Sequence, residues 1–98
     1  MNSPIPKTIG GAEVVCFTEI DDRHQRTGNT THYVDGKIFP EIKGLAVCQY
    51  QNETGYYLFY CDDSWNDITD TYHDSLEDAI NQAEFEYKNA EQTLISIK

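Results

Sequence analysis

The residues of this chain best equipped for chemistry are its carboxylates. Between positions 62 and 91 stand ten acids, Asp62, Asp63, Asp67, Asp70, Asp74, Glu77, Asp78, Glu84, Glu86 and Glu91, against one base, Lys88. The imbalance is local. Residues 1–43 hold six acids and five bases, whereas residues 44–98 hold eleven acids and two bases. Such a concentration creates a negative field that steers a basic partner at separations of about a Debye length. The same charge can instead be a solvated face that keeps a small domain soluble. Six of these acids, Asp62, Asp63, Asp67, Asp70, Asp74 and Asp78, are the candidate electrostatic contacts.

Two aromatics sit among them. Phe85 lies nine positions from Leu76, about 180° around a helix at ~100° per residue, with Asp78, Asn81, Gln82, Asn89 and Gln92 as polar neighbours. It is either an exposed anchor inside an acidic rim or a residue covered by another part of the chain. Trp65, between Asp63 and Asp67, is either a recognition residue or a lid on the sheet. The need of a small core for apolar area favours the lid.

Other chemistries fit poorly. Asp62, Ser64 and Asn66 match the first three ligand positions of a calcium loop, and Asp70 falls at the ninth. The sixth position is Asp67 rather than Gly, the twelfth is His73 rather than Glu, and no incoming helix precedes them. His24, His32 and His73 show no zinc spacing with one another or with a cysteine, so no metal site is expected. His24 beside Asp21 and Asp22 could pair a base with its orienter, a cysteine serving as nucleophile. Yet Cys16, Cys48 and Cys61 all sit inside apolar runs with nothing to lower a thiol pKa. No phosphate loop, nucleophile elbow or paired catalytic motif is present, so no catalytic residue and no cofactor are assigned.

The elements that must position these residues read as α+β. Residues 1–11 form a flexible lead-in ending at Gly10-Gly11, and 12–20 a strand with Val14, Cys16 and Ile20 on one side. The segment 21–30, DDRHQRTGNT, has no periodicity and reads as an exposed loop. Asp35-Gly36 suits a two-residue hairpin turn that puts Tyr33 and Ile38 on the same face, and Pro40 ends the second strand. Residues 44–51 and 56–61 form a second hairpin around Asn52-Glu53-Thr54-Gly55. Apolar residues on both of its faces mark a central strand, or a sheet with a helix on one face and partial cover on the other.

Ser75 is the N-cap of a helix, with Glu77 and Asp78 in the first turn and Leu76, Ala79, Ile80, Ala83, Tyr87 and Ala90 as its apolar stripe. Thr93 to Ile97 can return to the sheet edge. The expected architecture is a single domain over 1–98: an antiparallel sheet of about four to five strands with one long C-terminal helix packed on it.

Composition bounds the function. The 98 residues carry 17 acids, 7 bases and a formal net charge of −10. Direct nucleic-acid binding needs Lys and Arg against phosphates, and anionic membranes are disfavoured for the same reason. No apolar run approaches the ~20 residues of a membrane span, and nothing resembles a signal peptide. Three cysteines, an odd number, argue against a disulfide framework and for a reducing, cytoplasmic setting.

The stretch from Tyr57-Leu58-Phe59-Tyr60-Cys61-Asp62 through Trp65, Asp70-Thr71, His73 and Ser75-Leu76-Glu77-Asp78-Ala79 to Gln82-Ala83-Glu84-Phe85-Glu86-Tyr87 resembles short uncharacterised bacterial proteins with a W…DT.H.S.EDA…QAEFEY pattern. That resemblance covers about a third of the chain and implies a strand–turn–helix unit from a bacterial source. In size and charge, with no shared motif, the chain is also similar to the immunity proteins of nuclease toxins. That likeness implies an inhibitor whose carboxylates stand in for phosphate oxygens in a basic active site. The expected function is therefore an acidic binding module with a basic protein partner. The alternative is a non-catalytic accessory or homodimeric regulatory domain joined by edge strands.

Overall fold

The computed structural model describes residues 4–27, 33–34, 37–38 and 42–97. In chain order the elements are β1 (Thr8–Ile9), β2 (Ala12–Glu19), β3 (Gln25–Arg26), β4 (Tyr33–Val34), β5 (Lys37–Ile38), β6 (Gly44–Gln49) and β7 (Tyr56–Cys61). They continue as β8 (Asp67–His73), α1 (Leu76–Glu86), β9 (Tyr87–Lys88), α2 (Ala90–Thr93) and β10 (Ile95–Ser96). The architecture is α+β. The main sheet is antiparallel in the order β1-β2-β6-β7-β8, and β10 also pairs with β2. It has six strands because the two-residue strands β1 and β10 share one edge of β2, at Ala12–Glu13 and Cys16–Phe17 respectively.

Period-two alternation divides the core. Leu45, Val47, Leu58 and Tyr60 face one side, where Ala79, Ala83, Tyr87 and Ala90 of the helical layer cover them. Ala46, Cys48, Phe59 and Cys61 face the other, under Ile9 and Trp65. The hairpin of β6 and β7 and both of its faces are thus as the alternation requires, with β6 central. Strands β4 and β5 pair Tyr33 with Ile38 and Val34 with Lys37, leaving two residues between them. Asp35, Gly36 and Pro40 lie outside the described residues.

Four expectations are corrected. The register of β2 on β6 jumps from Val14↔Cys48 to Cys16↔Val47, so Val15 is a bulge. Val14 and Cys16 therefore face opposite sides instead of the same one. Residues 5–11 are no loose lead-in. Gly10 and Gly11, at φ 58° and 86°, form the two-residue turn that folds β1 onto β2, and Ile9 is buried.

The segment after β2 is also structured, because β3 pairs with β9 as Gln25↔Lys88 and Arg26↔Tyr87. The helix, finally, is short. Ser75 caps it by accepting the Asp78 N–H at 3.1 Å, but α1 ends at Glu86. Thr27 takes over the terminal carbonyls, its N–H donating to Glu86 O at 2.9 Å and its hydroxyl to Phe85 O at 2.7 Å. Tyr87 is then extended and Asn89 left-handed at φ 77°. The apolar stripe runs on through Tyr87 and Ala90 into α2 across this break, which is why helical spacing alone predicts one long helix.

Candidate partner-binding site

Strand β8 is an edge strand paired with β7 on one side, and the expected acidic contacts are distributed along and around it. Asp67 and Asp70 are exposed on β8, Asp63 in the turn before it, Asp74 in the turn after it, and Asp78 in the first turn of α1. Among the described residues no lysine or arginine pairs with any of these five. Charges on an edge strand also oppose edge-to-edge pairing with another sheet.

Three other acids of the run, Asp62, Glu84 and Glu86, are used internally. Asp62 is half-buried and accepts the Ser64 N–H at 2.8 Å, the Asn66 N–H at 2.9 Å and the Asn66 side-chain amide at 3.2 Å. Desolvation pushes its carboxyl upward, but these bonds outweigh it and hold the group below its ordinary range. Asp62 shapes the turn and points into it rather than outward to a cation. Glu84 accepts the N–H groups of Asn89 at 2.9 Å and Glu91 at 3.0 Å, closing the start of α2. Glu86 is 3% exposed, with the Tyr60 hydroxyl and the Gln82 side-chain amide donating to its Oε2. Burial, and then Glu86 itself, push the Tyr60 phenol far above its ordinary value.

The two aromatic candidates part company. Trp65 is 3% exposed, its ring edge-on to Phe17 at 5.7 Å between centroids, and it closes the sheet face opposite α1. It is the lid, not a surface anchor. Phe85 is 51% exposed on the outer side of α1, two turns from Asp78 on the same face. Asp70 pairs with Phe59 and shares its face of the sheet, away from the helix. The candidates therefore divide between two sides of the molecule, Asp70 on one and Asp78 with Phe85 on the other, joined around the β8 edge by Asp74.

Sequence reasoning missed a tyrosine cluster beside Asp70. Tyr57 is the cross-strand partner of Tyr72. Its ring lies edge-on to Tyr72 at 5.1 Å and to Tyr50 at 5.2 Å, and stacks with Phe59 at 6.2 Å. Tyr72 is 52% exposed. Partial desolvation, the Glu53 carboxylate, the neighbouring Tyr72 and Tyr50, and Asp70 together raise the Tyr57 phenol above its ordinary value. The available signal was the count of tyrosines in the hairpin strands. Which of them meet depends on the β7–β8 register.

The catalytic candidate His24 has its ring fully enclosed. The Asp21 N–H donates to His24 Nδ1 at 3.2 Å, Asp21 Oδ1 lies 3.4 Å from the same nitrogen, and Nε2 lies 2.7 Å from Thr93 Oγ1. Thr93 Oγ1 in turn lies 2.6 Å from Thr18 Oγ1. The chain Asp21–His24–Thr93–Thr18 is a staple between the β2–β3 connection and the C-terminal segment. Cys16, Cys48 and Cys61 are buried free thiols, with Cys16 pushed up to about 11 and Cys61 to about 12, burial being the main cause. Among the described residues no three His, Cys, Asp or Glu side chains are placed to hold a metal ion, and no helix is long and apolar enough to cross a membrane.

Compared with known protein families, with curated proteins and with solved structures, the chain matches none. The functional reading therefore rests on the site itself.

Proposed function

We propose that this chain is an acidic binding module, an immunity or inhibitor protein of the bacterial cytoplasm that neutralises a basic toxin of the nuclease class by occluding it. The supporting observation is that Asp63, Asp67, Asp70, Asp74 and Asp78, set along and around the β8 edge, have no lysine or arginine partner among the described residues. A nuclease active site is basic because it binds phosphates. Carboxylates held around that edge can pair with its Arg and Lys side chains and keep substrate out. Phe85, half exposed two turns along the same helix face from Asp78, supplies the apolar contact on the helix side of the edge.

The test begins with capture from native bacterial lysate at low salt, stepwise salt elution and mass spectrometry. The reading expects a stoichiometric basic protein that cleaves nucleic acid and is toxic when expressed alone. This chain should block that cleavage, and a D67N/D70N/D74N variant should block it at least about tenfold less well. Association indifferent to salt, or full inhibition by the variant, would refute the mechanism.

The second reading, a non-catalytic accessory or homodimeric regulatory domain, draws on Ile95 and Ile97, which are about half exposed at the C-terminal end of the sheet. Light scattering distinguishes the two, since the inhibitor needs no self-association.

A further inference from the structure

The face of the sheet away from α1 is closed at one end by Ile9 and Trp65, with Ile5 packed against them. At the other end the rings of Tyr50, Tyr57 and Tyr72 form a continuous strip, and among the described residues no helix lies over it. Beside Tyr50 the strip opens into a groove of about 940 Å³ between the N-terminal segment and the β6–β7 turn, with Ile5, Val14, Lys7, Glu13 and Glu53 in its walls. The Tyr50 hydroxyl donates to Gly10 O at 3.2 Å, which ties the two walls together at the mouth.

Three features of this surface select a ligand. Tyrosine faces attract cations through the ring quadrupole, and more strongly where carboxylates stand beside them. Glu53 flanks the strip at the turn and Asp70 at β8, both exposed. The groove adds an apolar floor, Ile5 and Val14, next to the aromatic strip. An extended chain places every second side chain on the same side, about 7 Å apart, so one segment can reach both regions.

We propose that the Tyr50–Tyr57–Tyr72 strip and the adjoining groove bind an extended peptide segment in which arginine or lysine stands two residues from an apolar side chain. The cationic group lies on the Tyr72 and Tyr57 rings between Asp70 and Glu53. The apolar side chain enters the groove against Ile5 and Val14. This goes beyond the toxin reading: it requires a basic segment on the sheet face and not a nuclease.

The probe is a blocked hexapeptide, Ser-Arg-Ser-Leu-Ser-Ser, titrated to about 1 mM into the ¹⁵N-labelled full chain, with an analogue carrying Gln for the Arg. The expected result is amide shifts confined to residues 5–14, 49–57 and 70–73, with the Gln analogue roughly tenfold weaker. Tyr72→Ala should weaken binding about tenfold, and Glu53→Gln, a change in an exposed turn that leaves the fold intact, about threefold. Asp74→Asn and Asp78→Asn, which belong to the toxin reading, should leave the titration unchanged. No shifts at the highest concentration, equal binding of the Gln analogue, shifts centred on α1, or a fully active Glu53→Gln chain would each overturn the proposal. The nuclease-inhibition assay is unaffected by any of these results, so the two readings fail separately.

Discussion

The indole of Trp65 lies directly over Gly44: a Cβ built at residue 44 would stand 2.5 Å from Trp65 Cζ3 and 2.8 Å from Cη2. Trp65 itself adopts φ 64°, a backbone region bulky residues avoid, in the turn that Asp62 organises. A side-chain-free strand position and a strained turn are thus two halves of one contact. Gly44→Ala should destabilise the fold by about 1–3 kcal/mol through overpacking, lowering Tm by several degrees. Urea unfolding followed by Trp65 fluorescence measures this, and an unchanged midpoint would mean the indole can leave Gly44 freely.

The alkaline limb of stability should be steep. Burial keeps the proton on Cys16, whose thiol is pushed from 9.0 up to about 11, and on Cys61 and Tyr87, each pushed up to about 12; Cys48 and Tyr60 move the same way. The unfolded chain releases these protons first. The stability they contribute is therefore whole below pH 9 and is lost as the pH rises from 9 toward 12. Urea midpoints measured between about pH 8 and about pH 11 should fall steadily, and a flat profile would contradict the burial of these groups.

Thr93→Val tests the C-terminal staple. The substitution keeps the volume and removes the hydroxyl that meets both His24 Nε2 and Thr18 Oγ1. A loss of about 1–3 kcal/mol is expected, since two enclosed polar groups lose a partner. Amide exchange should accelerate at residues 21–27 and 89–96 more than in β6 and β7. Uniform acceleration would show instead that the staple reports global stability only.

Charge on the β8 edge should cost stability in the free chain. Combining Asp67→Asn, Asp70→Asn and Asp74→Asn removes mutual repulsion and should raise stability by about 0.5–1 kcal/mol at low ionic strength. The gain should shrink in high salt as screening takes over. Urea titrations of both chains at two salt concentrations measure it. A variant less stable than the parent would assign these acids a structural role.

How far the sequence could be read follows from the range of each interaction. The Ser75 cap and the two faces of the β6–β7 hairpin depend on neighbours within a few residues, so spacing alone reveals them, whereas spacing only puts Phe85 off the core stripe and the fold leaves it half exposed. Local sequence also reveals the burial of the cysteines, each embedded in an apolar run. Such local rules determined the α+β class, the central hairpin and the place where the helix begins.

Tertiary structure decided the rest. The Val15 bulge arises where β2 must match β6, more than thirty residues away, and it sends Cys16 to the helix side. The helix stops at Glu86 because Thr27, distant in sequence, takes its last carbonyls and β3 claims Tyr87 and Lys88 for a ladder. Asp62, Glu84 and Glu86 read as surface charge until the fold surrounds them with N–H and O–H donors. The tyrosine strip exists because the β7–β8 register sets Tyr57 opposite Tyr72. A sequence names its donors, acceptors and rings, but the partner each one meets is a property of chain segments that only folding brings within bonding distance.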